Sequence, residues 1–318
     1  MSQQTTFACD TWATKGKVTR REQFLREMEA VVPWDLLLAL IAPHYHPRGR
    51  RGRPAHPLPV MLRIYFLQQW YAFSDPQPEE ALYDSETMRR FVGLELGEDT
   101  VPDESTILRF RHLLERHQLT AQIFDAVRDL LEERRLLLKA DTIVDATIIA
   151  APSTTKNATG TRDPEMRQTK KGNQWYFGMK AHIGTDTKGV VYSLVGTDAA
   201  VADITQLPQL LRGTETVLYG DQGYDSQANA DAWEAGGGRY RVQRRGRLTP
   251  QKQRINRARS RVRSMVEHPF HVVKQLWGYT KVRYRGLAKN TAQLFTLFAL
   301  SNLYRLRYRL CPALAGTR

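Results

Sequence analysis

Three acidic side chains stand where the surrounding sequence makes a carboxylate costly. Residues 235–318 hold 20 Lys and Arg but one carboxylate, Glu267, in the middle of the densest basic stretch. Asp145 interrupts the apolar run IVDATII at 143–149, where a charge is expensive unless it is paired or bound to a cation. Asp221 directly follows VLYG at 217–220, at the C-terminal end of an expected strand, where open α/β sheets hold their ligands. Three convergent carboxylates with no cysteine nearby suit a hard ion such as Mg²⁺ or Mn²⁺. Two such ions, ~3.5–4 Å apart, would activate a water or hydroxyl on one side of a phosphorus and stabilise the leaving oxygen on the other. That is the chemistry of phosphodiester cleavage or transfer. Each acid also has an ordinary reading. Asp145 and Asp221 could be strand-edge or capping residues, and Glu267 could pair with Arg263 one helical turn earlier. The isolation of Glu267 favours chemistry.

Positioning these acids takes two strands and a helix. Short β-branched or aromatic runs at 142–149, 179–185, 190–195 and 217–219 predict strands, the first of them begun by Asp141. Helical stretches are expected at 202–211 and 226–235, with a long one at 250–277 that carries Glu267. On that helix Arg263, His271 and Lys274 share the face of Glu267 and could clamp phosphates. Pro269 should kink or interrupt it. Strands followed by alternation with helices imply a mixed sheet with covering helices. The polar stretch 152–174 reads as a long functional loop.

Residues 1–138 read as helical. Thr19 and Glu22 fit a capping box, 34–41 and the apolar 60–73 predict helices, and Asp103 beside Pro102 is a helix start. With 318 residues and 42% apolar content the chain should form two domains, divided between 138 and 139. The formal net charge of +14 is regional, because upstream of residue 235 only 27 Lys and Arg face 32 Asp and Glu. A polyanion, most simply nucleic acid, is the natural partner of the basic region. Cys9 and Cys311 are too few for a zinc cluster. No run reaches the ~18 apolar residues of a membrane span, and the N-terminus shows no signal pattern. A soluble, cytoplasmic protein without a membrane partner is expected.

Asp145 in IVDATII, Asp221 in YGDQGYD and Glu267 in RVRSMVEHPFHVVKQ resemble the DDE transposases of bacterial insertion sequences, in particular the insertion-sequence five group. GRPAHPLPVMLRIYFLQ and PDESTILRFRHLL resemble that group's helical region. The resemblance implies an RNase H-like catalytic core, a DNA substrate and divalent metal, with Asp145, Asp221 and Glu267 as the acidic triad. A related pattern in such enzymes places a Tyr three residues before the Arg, and here Arg263, Glu267 and Lys274 fit it while Ser260 replaces the Tyr.

Several residues are candidates for DNA contact. Arg51 and Arg53 in RGRP resemble a minor-groove arm, a plain basic linker being the alternative. The helix after Asp103 carries Arg109, Arg111 and Arg116 and could belong to a helix-turn-helix. Trp175, Tyr176 and Phe177, near Lys170, Lys171 and Lys180, suit stacking on an unpaired base, or packing beneath the loop. His182 reads as a sheet histidine. Arg259 and Arg263 belong to a run that both tracks phosphate and meets solvent.

The expected fold is α/β: an RNase H-like mixed sheet with flanking helices at 139–318, preceded by an all-α DNA-binding domain at 1–138. The expected reaction is cleavage at terminal inverted repeats and transfer of the 3′ hydroxyl into target DNA. The expected setting is a homodimer or larger assembly on double-stranded DNA, near the bacterial nucleoid. A structure-specific nuclease and a non-catalytic DNA-binding regulator are the alternatives.

Overall fold

The computed structural model describes residues 16–45, 55–156, 160–244 and 249–316. Its N-terminal part is helical. Helix α1 (Arg20–Val31) is capped by Thr19, whose hydroxyl accepts from the Glu22 N–H at 3.2 Å, so one orphan donor of its first turn is met, as in the first half of a capping box. Helices α2 (Trp34–Ile41) and α3 (Leu58–Trp70) follow, the latter buried on nearly every face. Helices α4 (Gln77–Asp84) and α5 (Glu86–Val92) precede α6 (Glu104–Arg116). Asp103 caps α6 by accepting from the Thr106 N–H at 2.6 Å. Helix α7 (Leu119–Glu133) completes this part.

The chain then enters a six-stranded sheet: β1 (Asp141–Ala150), β2 (Arg167–Lys171), β3 (Gln174–Thr185), β4 (Val191–Asp198), β5 (Val217–Gly220) and β6 (Arg239–Val242). Its main body runs β4-β3-β1-β5-β6. β3 is antiparallel to β1 and β4, while β5 lies parallel to β1 and β6 parallel to β5. With helices against it, this is the RNase H-like arrangement. β2 pairs with the outer half of β3. β1 keeps its β5 partner only through Ile143, so its edge has no strand partner from Val144 until Ala150, which pairs with Lys281.

Three expectations need correction. The stretch 152–174 is not all loop, since β2 lies within it. Its RQTKK sequence carries no apolar alternation, and pairing with β3 rather than burial makes it a strand. β3 also begins earlier than expected, so Trp175, Tyr176 and Phe177 are strand residues. The expected helix at 202–211 is a 3₁₀ turn, Asp203–Gln206, followed by one turn of α-helix, α8 (Leu207–Leu210). Pro208 lacks an N–H and fits only a first turn, which sets where that turn begins.

Ser226 caps α9 (Gln227–Ala235). The expected helix at 250–277 is segmented into α10 (Pro250–Arg263), a 3₁₀ turn at Ser264–Val266, α11 (Glu267–His271) and a π turn at Val272–Leu276. Pro269 cannot donate to the Met265 carbonyl, and the helix tightens just ahead of it.

A last helix absent from the sequence reading, α12 (Leu287–Leu310), holds the molecule together. It packs on α7, α1 and β4, and one apolar core runs from Leu25 to Leu306 across both halves of the chain. Phe295 meets Phe124, and Phe298 meets Phe270, each fully buried Leu or Phe contributing ~1.5–3 kcal/mol. Polar contacts fix the register: Thr296 bonds Tyr65 at 3.0 Å, and Asn302 both accepts from and donates to the Val191 backbone. Arg307 ties α12 to Glu27 of α1 at 2.6 Å. No described helix is long and apolar enough to cross a membrane.

Candidate active site

Strand alternation turns Ile143, Asp145 and Thr147 to one face of β1 and Val144 and Ala146 to the other. Asp145 therefore reaches toward the helices carrying Arg263 and Glu267. Its carboxylate is buried, with Oδ1 accepting from the Ala146 N–H at 2.8 Å and Oδ2 from Arg263 Nη1 at 2.6 Å. Burial pushes this carboxyl up to about 7, the Arg263 charge opposes the rise, and Asp221 and Glu267 add to it.

Asp221 follows β5 where that strand leaves β1, and its Oδ1 accepts from the Gly223 N–H at 2.7 Å. Glu267 opens α11 with its side chain 58% exposed, 3.5 Å from Arg263 Nη1. All three acids line one pocket of about 440 Å³ beside the open edge of β1. Arg263 stands between Asp145 and Glu267, touching both. Among the described residues no three His, Cys, Asp or Glu side chains are grouped closely enough to hold one ion. The donor set itself, carboxylate oxygens on facing walls without sulfur, fits a hard divalent cation.

Lys274, from the π turn, donates to Thr147 Oγ1 at 3.1 Å and to the Ile148 carbonyl at 3.0 Å. Burial lowers its ammonium below the ordinary lysine value. Arg259 donates to the Val242 carbonyl at 2.6 Å, tying α10 to β6. Ser260 accepts from Gln243 at 2.5 Å, so the residue at the unmatched Tyr position joins the same tie. His271 and Arg109 are exposed. Arg111 of the proposed reading helix is internal instead, paired with Glu115 at 2.6 Å and Asp75 at 3.2 Å and stacked on Tyr284. Arg51 and Arg53 lie outside the described residues.

The β2–β3 hairpin borders the pocket through Thr169, Lys170 and Lys171. Trp175, opposite Lys170, is 64% exposed, whereas Phe177 packs against the core. Lys180 is held by the Val201 carbonyl at 2.7 Å and Asp203 Oδ1 at 2.9 Å. His182 is buried. Its Nε2 meets Thr197 Oγ1 at 2.8 Å, and its Nδ1 lies 3.7 Å from Asp203 Oδ1. Burial drops His182 to about 4, so the ring is neutral.

The sequence reading missed Asp203, which lines the same pocket. A lone acid at a helix start reads as a cap, and no spacing marks it otherwise.

The family described as Transposase DDE domain matches residues 138–303. The chain belongs to the DDE transposase family. It is a DNA transposase, a polynucleotidyl transferase of the DDE type. A second family, Transposase domain (DUF772), matches residues 13–113 of this transposase. The crystal structure of the Mos1 strand transfer complex aligns over 86% of this chain and 82% of that one, at 13% identity and a TM-score of 0.27.

Proposed function

We propose that this transposase belongs to the insertion-sequence five group and cuts DNA at the terminal inverted repeats of its element, then joins the freed 3′ hydroxyl to target DNA. The observation that carries the reading is the convergence of Asp145, Asp221 and Glu267 on one pocket bordered by the basic hairpin. Held by these three carboxylates, Mg²⁺ or Mn²⁺, as a pair of ions, would polarise the phosphodiester and lower the pKa of the attacking oxygen. Asp145 is preset by β1 and the Ala146 N–H, and Asp221 by the Gly223 N–H, so both carboxylates are oriented before substrate arrives. Arg263 lines the pocket beside them and would face phosphate, while Lys274, held by Thr147 and Ile148, adds positive charge next to β1.

Direct DNA contacts are assigned to the exposed Arg109, Trp175 and His271. Trp175 offers a face for an unpaired base beside the cut. Lys180 and Arg259 have internal partners and contribute positive field behind the substrate. Arg51 and Arg53 are assigned to a minor-groove arm on sequence grounds. Residues 1–138 would recognise the repeats and 139–318 would carry the chemistry, in a homodimer or larger assembly that brings two ends together. A cytoplasmic, nucleoid-associated location follows from that substrate.

Purified protein with labelled terminal-repeat DNA, target DNA and Mg²⁺ tests this. Nicks at the repeat ends followed by joined products are expected. Nicks that never join to target would favour a structure-specific nuclease, and binding without nicks a non-catalytic regulator.

A further inference from the structure

Helix α10 has two unlike faces. Asn256, Arg259, Ser260 and Arg263 turn inward: Asn256 donates to the Arg244 carbonyl at 3.4 Å, Arg259 to the Val242 carbonyl, and Ser260 and Arg263 meet Gln243 and Asp145. Residues three, four and seven apart share a helix face, so Arg254, Arg257 and Arg261 line up on the side turned away from the sheet, with the small Ala258 between them. All three arginines are exposed, and α10 contains no acidic residue. From Arg254 to Arg261 the stripe runs roughly 10 Å, at ~1.5 Å per residue. A duplex carries a phosphate charge every ~1.7 Å of its axis, so about six fall within that length.

The edge strand adds two more arginines. In β6, Arg239 and Arg241 are exposed and alternate with buried Tyr240 and Val242, which puts the two on one face. They stand beside Val217 and Tyr219 of β5, which in turn flank Asp141 and Ile143 of β1, so this is the sheet face of Asp145, the one α10 covers. Arg241 donates to the Tyr219 hydroxyl at 3.2 Å, and both arginines line a pocket of about 410 Å³ in which Asp141 is the one carboxylate among the described residues. Burial lowers the Arg259 guanidinium from its ordinary value, and the charges of Arg244 and Arg241 lower it further, against a partial offset from Asp225 and Glu234. Like charges crowded in this way repel one another in the free protein, and an arriving polyanion relieves the repulsion.

The placement says which DNA this surface fits. The sheet runs β4-β3-β1-β5-β6, α12 ties the helical part of the chain to β4, and β6 is the opposite edge. Asp145 stands between the two edges, on β1. DNA held by the helical part thus reaches the acids from the β4 side, and the arginines flank them from the β6 side. Arginine on phosphate fixes position without reading sequence, as suits a duplex with no fixed repeat. Resting on the joining reaction proposed above, we propose that Arg254, Arg257 and Arg261 of α10, with Arg239 and Arg241 of β6, form the phosphate-contacting surface for the target duplex.

Fluorescence anisotropy of a labelled duplex lacking repeat sequence, titrated with the full chain over a salt series in chelator, tests the surface. Each lost phosphate contact makes the slope of log K against log salt shallower by ~0.9. The triple change Arg254→Gln, Arg257→Gln and Arg261→Gln is expected to lower the slope by about 2 to 3, and the double change Arg239→Gln and Arg241→Gln by about 1 to 2. Thermal midpoints near wild type show that the variants fold, and if the triple variant does not, the double variant decides. In Mg²⁺, with labelled repeat ends and plain target duplex, joining should fall about ten-fold or more beyond any fall in nicking. Unchanged slopes in both variants overturn the surface. Equal losses of nicking and joining overturn its assignment to target, since the element's own end would then lie there. A wild type that nicks and never joins sinks the proposed reaction instead, and the slopes alone then decide whether this face holds duplex.

Discussion

Arg263 donates to Asp145 at 2.6 Å from a helix one turn ahead of Glu267, so a basic side chain of α10 neutralises the acid of β1 inside the pocket. The guanidinium sits where it touches two of the three acids at once. Any cation that takes both must exchange with it. Arg263 is thus a counter-ion in the free protein and becomes available for phosphate once the carboxylates are otherwise occupied.

Replacing Arg263 by Gln should therefore separate binding from chemistry. A hydrogen bond to a charged group contributes ~1.5–3 kcal/mol, so Mn²⁺ should bind about ten-fold more tightly at pH 8, while cleavage of repeat DNA falls. Calorimetry and a gel assay on the same preparation give both numbers. Unchanged or weaker Mn²⁺ binding would show that Arg263 does not guard Asp145.

The metal-free protein should carry two opposed pH dependences. Asp145 rises from the ordinary 3.8 to about 7 on folding, so its contribution is present below about 4 and is lost as pH rises through 7. His182 falls from 6.5 to about 4, so it destabilises the fold as pH drops through that window. In urea titrations with chelator, Asp145→Asn should exceed wild type at pH 8 by on the order of 4 kcal/mol, at ~1.4 kcal/mol per pH unit, and lose that margin by pH 4. His182→Gln should gain on wild type as pH falls from 6.5 to 4. Parallel curves for wild type and both variants would contradict the assignment.

Gly223→Ala places its methyl 2.8 Å from Asp221 Oδ1. The backbone there needs no positive φ, so the damage is confined to the acid beside it. A stability loss of about 1–3 kcal/mol is expected from the overpacking. Metal-dependent cleavage should fall far more than that loss explains. Wild-type cleavage by a folded Gly223→Ala would mean that Asp221 need not keep its orientation over this glycine.

The acids were legible in the sequence because each breaks a local rule: a charge in an apolar strand, a carboxylate at a strand end, a lone Glu among arginines. The strands carrying them were legible from β-branched runs. β2 was not, since its stability comes from pairing with β3. Helix α12 escaped because apolar residues surround it, so it lacks the one-sided periodicity of a surface helix. Asp203 escaped because only the fold brings it to the pocket of the three acids.

Trp175 can be removed without touching the core, being 64% exposed on an outer strand. Trp175→Ala should leave the thermal midpoint unchanged and weaken binding to end-frayed DNA by ~1–3 kcal/mol, with little effect on intact duplex. Fluorescence anisotropy with the two DNAs checks this. Equal losses on both would point to a general surface contact.

The central claim is that Asp145, Asp221 and Glu267 act as one catalytic unit. Single-turnover cleavage of repeat DNA by Asp145→Asn, Asp221→Asn, Glu267→Gln and the triple variant tests it most directly, with DNA affinity measured alongside. Each single change should lower the rate on the order of 10³-fold or more, and the triple variant should be little worse than the singles, as residues of one unit behave. DNA affinity should stay near wild type. A Glu267→Gln protein that cleaves at the wild-type rate would contradict the account.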